Sequence, residues 1–244
     1  MDTKLKSRIN FLTWYAIVSS LVFALILFSS FDGKVRNVNY DEITTKRINV
    51  VGEDGGLRMV ISNETRQHSG RMNGKDNEKR ERPAGLIFFN NEGDECGGLV
   101  YKSKTENGIT KSGMSFTMDQ YKEDQVIQLL NDESFKGDKS NLQRGLSINE
   151  FPSGSTMEAR TSKLKELEKI ENEAERKKKI REFYNNEGAK QRLFVGRTSG
   201  NSSGLFLAGT DGKLKMMIYV DDKGNPKIET FDSTGKPKNH LLEK

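Results

Sequence analysis

Two matching segments, 157 residues apart, place the strongest constraint on how this chain folds. Residues 208–219 read Ala-Gly-Thr-Asp-Gly-Lys-Leu-Lys-Met-Met-Ile-Tyr, and residues 51–62 read Val-Gly-Glu-Asp-Gly-Gly-Leu-Arg-Met-Val-Ile-Ser, with six of twelve positions identical. Asp-Gly is favoured in tight hairpins because glycine, lacking a Cβ, adopts positive φ without a clash. The residues that follow alternate apolar and polar, as in a half-buried strand. Each segment therefore predicts a hairpin turn followed by a strand.

A second repeat consists of a glycine followed by alternating apolar residues. It begins at Gly85, Gly113, Gly145 and Gly204, so successive starts are 28, 32 and 59 residues apart. Short strands at regular spacing with glycine turns are typical of antiparallel sheets. The sequence therefore predicts a mainly β fold, an antiparallel meander that closes as a barrel or folds over as a sandwich.

The long interval between the last two repeats contains different material. Residues 155–184 lack glycine and proline, and apolar residues recur there at approximately helical spacing. This pattern predicts one amphipathic helix over residues 155–186, inserted between strands. The helix either packs on the β domain or is an interface for a protein partner or a second copy. Its predicted apolar stripe is Leu164, Leu167, Ile170, Ala174, Ile180 and Phe183.

The N-terminal region contains an uncharged apolar run, Ile9–Phe31, preceded by Lys4, Lys6 and Arg8. Twenty-three helical residues extend about 34 Å, which is enough to cross a bilayer. The positive-inside rule then predicts a cytoplasmic tail over residues 1–8 and a single-pass signal anchor over residues 9–31 in a bacterial inner membrane. A cleaved signal peptide is the alternative, but its apolar run is normally shorter.

The remainder is predicted to be exported, with a polar connector over residues 32–45 and a β-rich domain over residues 46–244. Of the 40 basic and 35 acidic side chains, three basic and one acidic lie in the N-terminal tail, which leaves 37 against 34. Nucleic-acid binding requires basic residues gathered on one face. This balance therefore predicts no nucleic-acid partner.

The chain contains few of the residue types that usually act in catalysis or bind metals. Its two histidines, His68 and His240, are interpreted as exposed loop residues, and the single Cys96 as a small, partly buried side chain. Residues 64–83 are predicted to be a solvated loop because their charges are mixed. We therefore predict no enzyme activity, no cofactor, and no catalytic, cofactor-binding or metal-binding residue.

Two sets of acidic residues are the remaining candidates for a metal site or an active site. The first set is the aspartates of the predicted hairpin turns, which are candidate calcium ligands. Hairpin geometry is sufficient to explain their presence, and the Lys213 that follows Asp211-Gly opposes calcium binding. An enzyme would require carboxylates such as Glu92, Asp94 and Glu95 to converge in a cleft. The turn aspartates considered as calcium ligands are Asp211, Asp221, Asp222 and Asp232.

Three short motifs resemble a family of uncharacterised bacterial proteins that have one N-terminal membrane span and a β domain with Gly/Asp turns. The motifs are Asp-Gly-Gly-Leu-Arg-Met-Val-Ile-Ser-Asn at 54–63, Gly-Leu-Ile-Phe-Phe-Asn at 85–90 and Gly-Gly-Leu at 97–99. The resemblance implies an architecture and a bacterial origin, and it carries no activity. We therefore expect a membrane-anchored, non-catalytic interaction or structural module of the cell envelope. The alternative is a β domain that binds a small ligand, lipid or glycan.

Overall fold

The computed structural model describes residues 3–29 and 38–241. The chain divides into two compact units, Met1–Thr44 and Thr45–Lys244. The end of the predicted anchor, residues 30–31, and the first part of the predicted connector, residues 32–37, lie outside the described residues.

The first unit contains one long apolar helix, α1, at Thr3–Ser29. An 18-residue window of this helix has a mean hydropathy of 2.2, and this composition and the length of the helix are sufficient for a membrane span. The helix begins six residues before the predicted span, because Lys4, Lys6 and Arg8 favour helix and extend it by nearly two turns. A signal sequence satisfies the same criteria of length and composition.

The second unit is mainly β, as predicted. Twelve antiparallel strands form one sheet in chain order, and two short strands form a separate hairpin. The strands are β1 Arg47–Val51, β2 Leu57–Ser62, β3 Arg71–Met72, β4 Lys75–Asp76, β5 Ala84–Phe89, β6 Glu95–Glu106, β7 Ile109–Asp119, β8 Gln125–Lys136, β9 Lys139–Glu150, β10 Lys190–Arg197, β11 Ser203–Ala208, β12 Leu214–Val220, β13 Pro226–Phe231 and β14 Pro237–Asn239.

The predicted antiparallel meander is therefore confirmed. Its pairing is that of an open sheet with β1 and β14 at the two edges, since no pairing joins these strands within residues 38–241. A closed barrel would require such a pairing. An open sheet does not enclose either of its faces, so each face is buried only where other segments pack on it.

One turn design recurs along the sheet. In seven turns the first N–H donates to the carbonyl of the fifth residue, and the fourth N–H donates to the carbonyl of the first. In six of them the fourth residue has positive φ, for example Gly212 at 75° in the motif that predicted a hairpin. The seven turns span residues 52–56, 90–94, 120–124, 198–202, 209–213, 221–225 and 232–236.

The two faces of the sheet differ in burial. On the first, here called the buried face, side chains alternate inward along β2 and β5, where Val60, Ile87 and Phe89 form a small core. The same register row continues across the sheet to Thr117, Ser147 and the buried Phe194. The residues between β2 and β5 supply part of its cover, since His68 packs its ring on Phe89.

The insertion between β9 and β10 contains two helices, so the prediction of one helix is wrong. They are α2, Met157–Glu168, and α3, Glu173–Glu187. The chain breaks between them because the Asn172 side chain accepts a hydrogen bond from the backbone N–H of Glu175 and caps a new helix. The Lys163–Glu187 ion pair and the Lys163 ammonium over the Phe183 ring connect the two helices as a hairpin.

Candidate functional site

The face opposite the buried face, here called the apolar face, carries an unbroken register row of large apolar side chains. Each residue of the row is the Cα partner of the next, and eleven consecutive strands of the sheet contribute one residue each. Paired residues in antiparallel strands point to the same side. The row is Ile48, Ile61, Leu86, Leu99, Phe116, Leu129, Leu146, Val195, Leu205, Ile218 and Ile228.

A second row lies beside the first, two residues along each strand. Ten of its eleven positions lack any polar side chain, with Gly97 as the one small member, and Thr230 ends it on β13. Neither row contains a charged residue. The second row is Val50, Met59, Phe88, Gly97, Met118, Ile127, Ile148, Leu193, Leu207, Met216 and Thr230.

Many of these side chains remain open to solvent. Leu129 on the central strand is 57% exposed, Ile218 is 43% exposed and Val195 is 42% exposed. Contiguous apolar patches larger than a few hundred Å² are uncommon on monomeric soluble proteins and mark interaction surfaces. The apolar face is therefore the first candidate functional surface.

A second candidate lies at the one turn that departs from the common design. In the turn at residues 120–124, the fourth position is Glu123, and the positive φ, 58°, falls instead on Lys122. This turn also contacts the helical hairpin. The carbonyl of Lys122 accepts a hydrogen bond of 2.9 Å from the backbone N–H of Met157, the first residue of α2.

The Lys122 side chain gathers two carboxylates from the neighbouring turn at residues 90–94. Its ammonium contacts the buried Asp94 and lies 2.8 Å from Glu92. These hydrogen bonds, to Asp94 first, raise the pKa of Lys122, and the bond from Lys122 lowers the pKa of Glu92. The other oxygen of Asp94 accepts from the backbone N–H of Asn73, at 2.6 Å, which fixes the β3–β4 hairpin to the same point.

Glu123 is fully buried and anchors α2. Both its oxygens lie 3.0 Å from the Arg160 Nε, and the Ser155 hydroxyl donates to Oε2. The Arg160 guanidinium also lies 4.6 Å from the centre of the Phe151 ring. A buried carboxylate with several charge-assisted partners is costly to leave alone and holds its partners firmly.

A polar cleft of about 710 Å³ opens between this anchor and the segment at residues 71–82. Four carboxylates line it, namely Glu78, Glu95, Asp119 and Asp124. Glu95 is paired with Arg82 at 2.7 Å, whereas the Asp119 Oδ1 is buried and has no hydrogen-bond partner among the described residues. The other lining residues include Asn77, Lys79, Arg80, Gln125, Thr161, Lys165 and Tyr184.

Asp119 is the unusual group of the cleft. Burial, and then the charges of Glu95 and Asp124, raise the pKa of its carboxyl to about 7. The side chain therefore offers a hydrogen-bond donor below neutral pH and only acceptors above it.

Replacing Asp119 with asparagine tests this environment through the pH dependence of stability. Because the folded pKa is about 7 and the ordinary value is 3.8, the wild-type free energy of unfolding falls as pH rises between these values. The Asp119→Asn variant lacks that loss, so its stability relative to wild type should increase from pH 4 to pH 7 and then stay constant. We expect a change of about 1–2 kcal/mol, allowing for solvent screening. Urea unfolding at a series of pH values measures it, and a difference that is independent of pH would contradict the assignment.

His68 corrects the prediction of two exposed loop histidines. It is only 7% exposed, packs edge-on against Phe89 with ring centroids 4.8 Å apart, and accepts a hydrogen bond from the Gly70 N–H at Nδ1. Burial lowers the pKa of His68, so the ring is neutral at pH 7. His240 is exposed, as predicted. The solvated-loop prediction holds for residues 73–81, but residues around His68 are packed.

The structure separates the three carboxylates that an enzyme would have needed together. Lys122 holds Glu92 and Asp94, whereas Glu95 pairs with Arg82 in the cleft. The Cys96 thiol is partly buried, as predicted, and burial raises its pKa, which lowers its reactivity as a nucleophile at neutral pH.

Three of the turn aspartates bind their own backbone. Asp211 accepts from the N–H of Lys213, Asp221 from that of Asn225, and Asp232 from that of Lys236. Within residues 3–29 and 38–241, no group of three or more His, Cys, Asp or Glu side chains is arranged to hold a metal ion.

Sequence reasoning missed the Glu123–Arg160 anchor and Asp119. One signal for the anchor was present, since the turn at residues 120–124 has Glu where the other six have Gly or Asn. Asp119 carries no such signal, because its environment is built by residues remote in sequence.

Comparison of the chain with protein-family models, with curated proteins and with solved structures finds no match. The resemblance to an uncharacterised bacterial family stays a prediction.

Proposed function

We propose that this protein is a membrane-anchored, non-catalytic interaction module, and that the apolar face is its interaction surface. The observation that carries the proposal is the pair of register rows on that face, which extend over eleven strands without a charge. A sheet with one apolar face normally buries that face against another layer. The helical hairpin contributes a second, charged surface for a protein partner.

In the same proposal α1 is a signal anchor of a bacterial inner membrane, with the N-terminus cytoplasmic and the β-rich domain, residues 46–244, exported. The support is the position of Lys4, Lys6 and Arg8 at one end of an apolar helix. Membrane attachment would hold the apolar face near other envelope components.

The interaction surface is tested by chemical accessibility in native membranes. In a Cys96→Ser background, Val195→Cys on the apolar face should react with a maleimide at least tenfold more slowly than Asp132→Cys. Asp132 is a matched control, because it is exposed and belongs to the opposite side of the sheet. Membranes opened by sonication remove any effect of sidedness. Equal labelling rates at the two sites would refute the proposal.

The anchor gives a separate prediction. The double substitution Val18→Arg/Leu21→Arg puts two charges near the middle of α1, at a cost of about 2.5–3.5 kcal/mol each in a bilayer. We expect the protein to shift from the carbonate-resistant membrane fraction to the extractable fraction. The control Ser7→Arg adds a charge beside existing basic residues and should leave the distribution unchanged. Extraction of the wild-type chain by carbonate would contradict a membrane span.

The polar cleft supports a second candidate function, binding of a small glycan-like ligand. The favouring observation is the Asp119 carboxyl, whose Oδ1 has no partner within the described part of the chain, among amide, hydroxyl and guanidinium groups and the Tyr184 ring. Such groups hydrogen-bond sugar hydroxyls, and an aromatic ring packs on a sugar face. Calorimetric titration of the wild-type chain and Asp119→Ala with a panel of neutral oligosaccharides tests it. Binding that is absent, or unaffected by Asp119→Ala, would reject the cleft as the site.

A further inference from the structure

We infer that the occupant of the apolar face is a second copy of this chain, so that two sheets pack face to face as a sandwich across a two-fold axis. The inference rests on the proposed function and names the partner for the same surface. Two sheets pack about 10 Å apart when apolar side chains from both inner faces interdigitate. Each copy supplies one such face, and two copies supply the pair.

The size of the face fits a stable dimer. Eleven strands spaced about 4.8 Å apart extend about 50 Å, and two rows of side chains occupy about 14 Å along the strands. The product, roughly 700 Å², is close to the roughly 800 Å² that each partner buries in an interface of standard size. The absence of charge from both rows matches the apolar interfaces of homodimers.

The composition of the face favours a protein sheet over a lipid surface. Segments that lie on membranes combine apolar residues with Lys, Arg and Trp that meet the headgroups. The two rows contain none of these residues, and the only tryptophan of the chain, Trp14, lies in α1. The two arginines of the adjoining row, Arg144 and Arg197, are engaged by protein groups. Their partners are Asn131 and Glu133 for Arg144, and the Leu142 carbonyl and Asn201 for Arg197.

The geometry gives the dimer a defined centre. Leu129 belongs to the sixth of the eleven strands, so a two-fold axis through the middle of the face brings the two Leu129 side chains together. Anchoring both copies in one membrane by α1 would raise their effective concentration.

The test is cross-linking of the full chain in native membranes in the Cys96→Ser background. A bismaleimide with a span of about 10 Å should convert Leu129→Cys to covalent dimer at least tenfold faster than Asp132→Cys, its exposed control on the same strand. Adding Ile218→Glu to Leu129→Cys should reduce the dimer at least fivefold, because it places a charge in the proposed interface. Ile218 is 43% exposed, so the fold tolerates this charge in a monomer. The matched control Asp132→Lys should leave the yield unchanged.

The outcomes separate this inference from the proposed function. Covalent dimer at Leu129→Cys, lost on Ile218→Glu, supports the second copy. Protection of Val195→Cys from maleimide without any Leu129→Cys dimer overturns the second copy and leaves the interaction surface standing, with lipid or another protein as its occupant. Free labelling at Val195→Cys together with no dimer overturns both. Equal cross-linking at residues 129 and 132 indicates random collision and also overturns the inference.

Discussion

Replacing Arg160 with alanine is expected to lower the free energy of unfolding by about 3–5 kcal/mol, because it leaves the carboxylate of Glu123 buried without a charge partner. Glu123 has no exposed surface, and Arg160 supplies two of its nitrogens to it. The loss of the guanidinium over the Phe151 ring adds to the effect. Urea unfolding followed by pulse proteolysis of the full chain measures the change.

Two further variants test the cause. Lys163→Ala on the same helix removes an ion pair with Glu187 in which both side chains are about half exposed, so its cost should be below about 1 kcal/mol. The double variant Glu123→Leu/Arg160→Met removes both charges and should recover most of the stability that Arg160→Ala loses. A double variant as unstable as Arg160→Ala would show that the charge itself is not the reason.

Replacing Ile87 with alanine is expected to cost about 2–5 kcal/mol of unfolding free energy, as for other large-to-small changes in a packed core. Ile87 is 1% exposed and packs with Val60 and Phe89 on the buried face. Leu129→Ala is its counterpart on the apolar face, where the side chain is 57% exposed. In the isolated monomer this change should cost less than about 1 kcal/mol.

The comparison of these two substitutions also reports on assembly. Measured in detergent at low protein concentration, Ile87→Ala should remain costly and Leu129→Ala mild. Under conditions that retain the proposed dimer, the cost of Leu129→Ala should rise, since the leucine is then buried against the partner copy. If Leu129→Ala is as destabilising as Ile87→Ala at every concentration, the apolar face is already covered within one chain.

Much of the fold could be predicted from local sequence. The Asp-Gly turns and the alternating strands beside Gly85, Gly145 and Gly204 are short-range features, and the structure has them where the sequence placed them. The helical insertion was placed correctly but interpreted as one helix, because Asn172 as a cap is a weaker signal than glycine or proline. Whether the meander closes depends on pairing between strands at opposite ends of the domain, and no local pattern specifies that pairing.

The candidate sites also combine features that local sequence predicts with features that depend on contacts between remote residues. Alternation along single strands, as in Met114, Phe116 and Met118, showed that the sheet has an apolar side, but alternation alone does not say which side other elements cover. The packing of residues 64–83 on the side of Ile87, where the His68 ring lies on Phe89, contributes to that. The same packing buried His68 and desolvated Asp119, two residues whose sequence neighbourhoods look solvated.

The sequence by itself determined the apolar N-terminal helix, the antiparallel meander and the turn chemistry, because each depends on residues that are close together along the chain. Only the tertiary structure decided which face of the sheet stays open, that Glu123 and Arg160 meet, and that Asp119 titrates near neutral pH. These properties depend on burial and on the distances between remote groups. Burial depends on how the layers of the fold pack together, so the sequence of one strand does not specify which of its faces is buried.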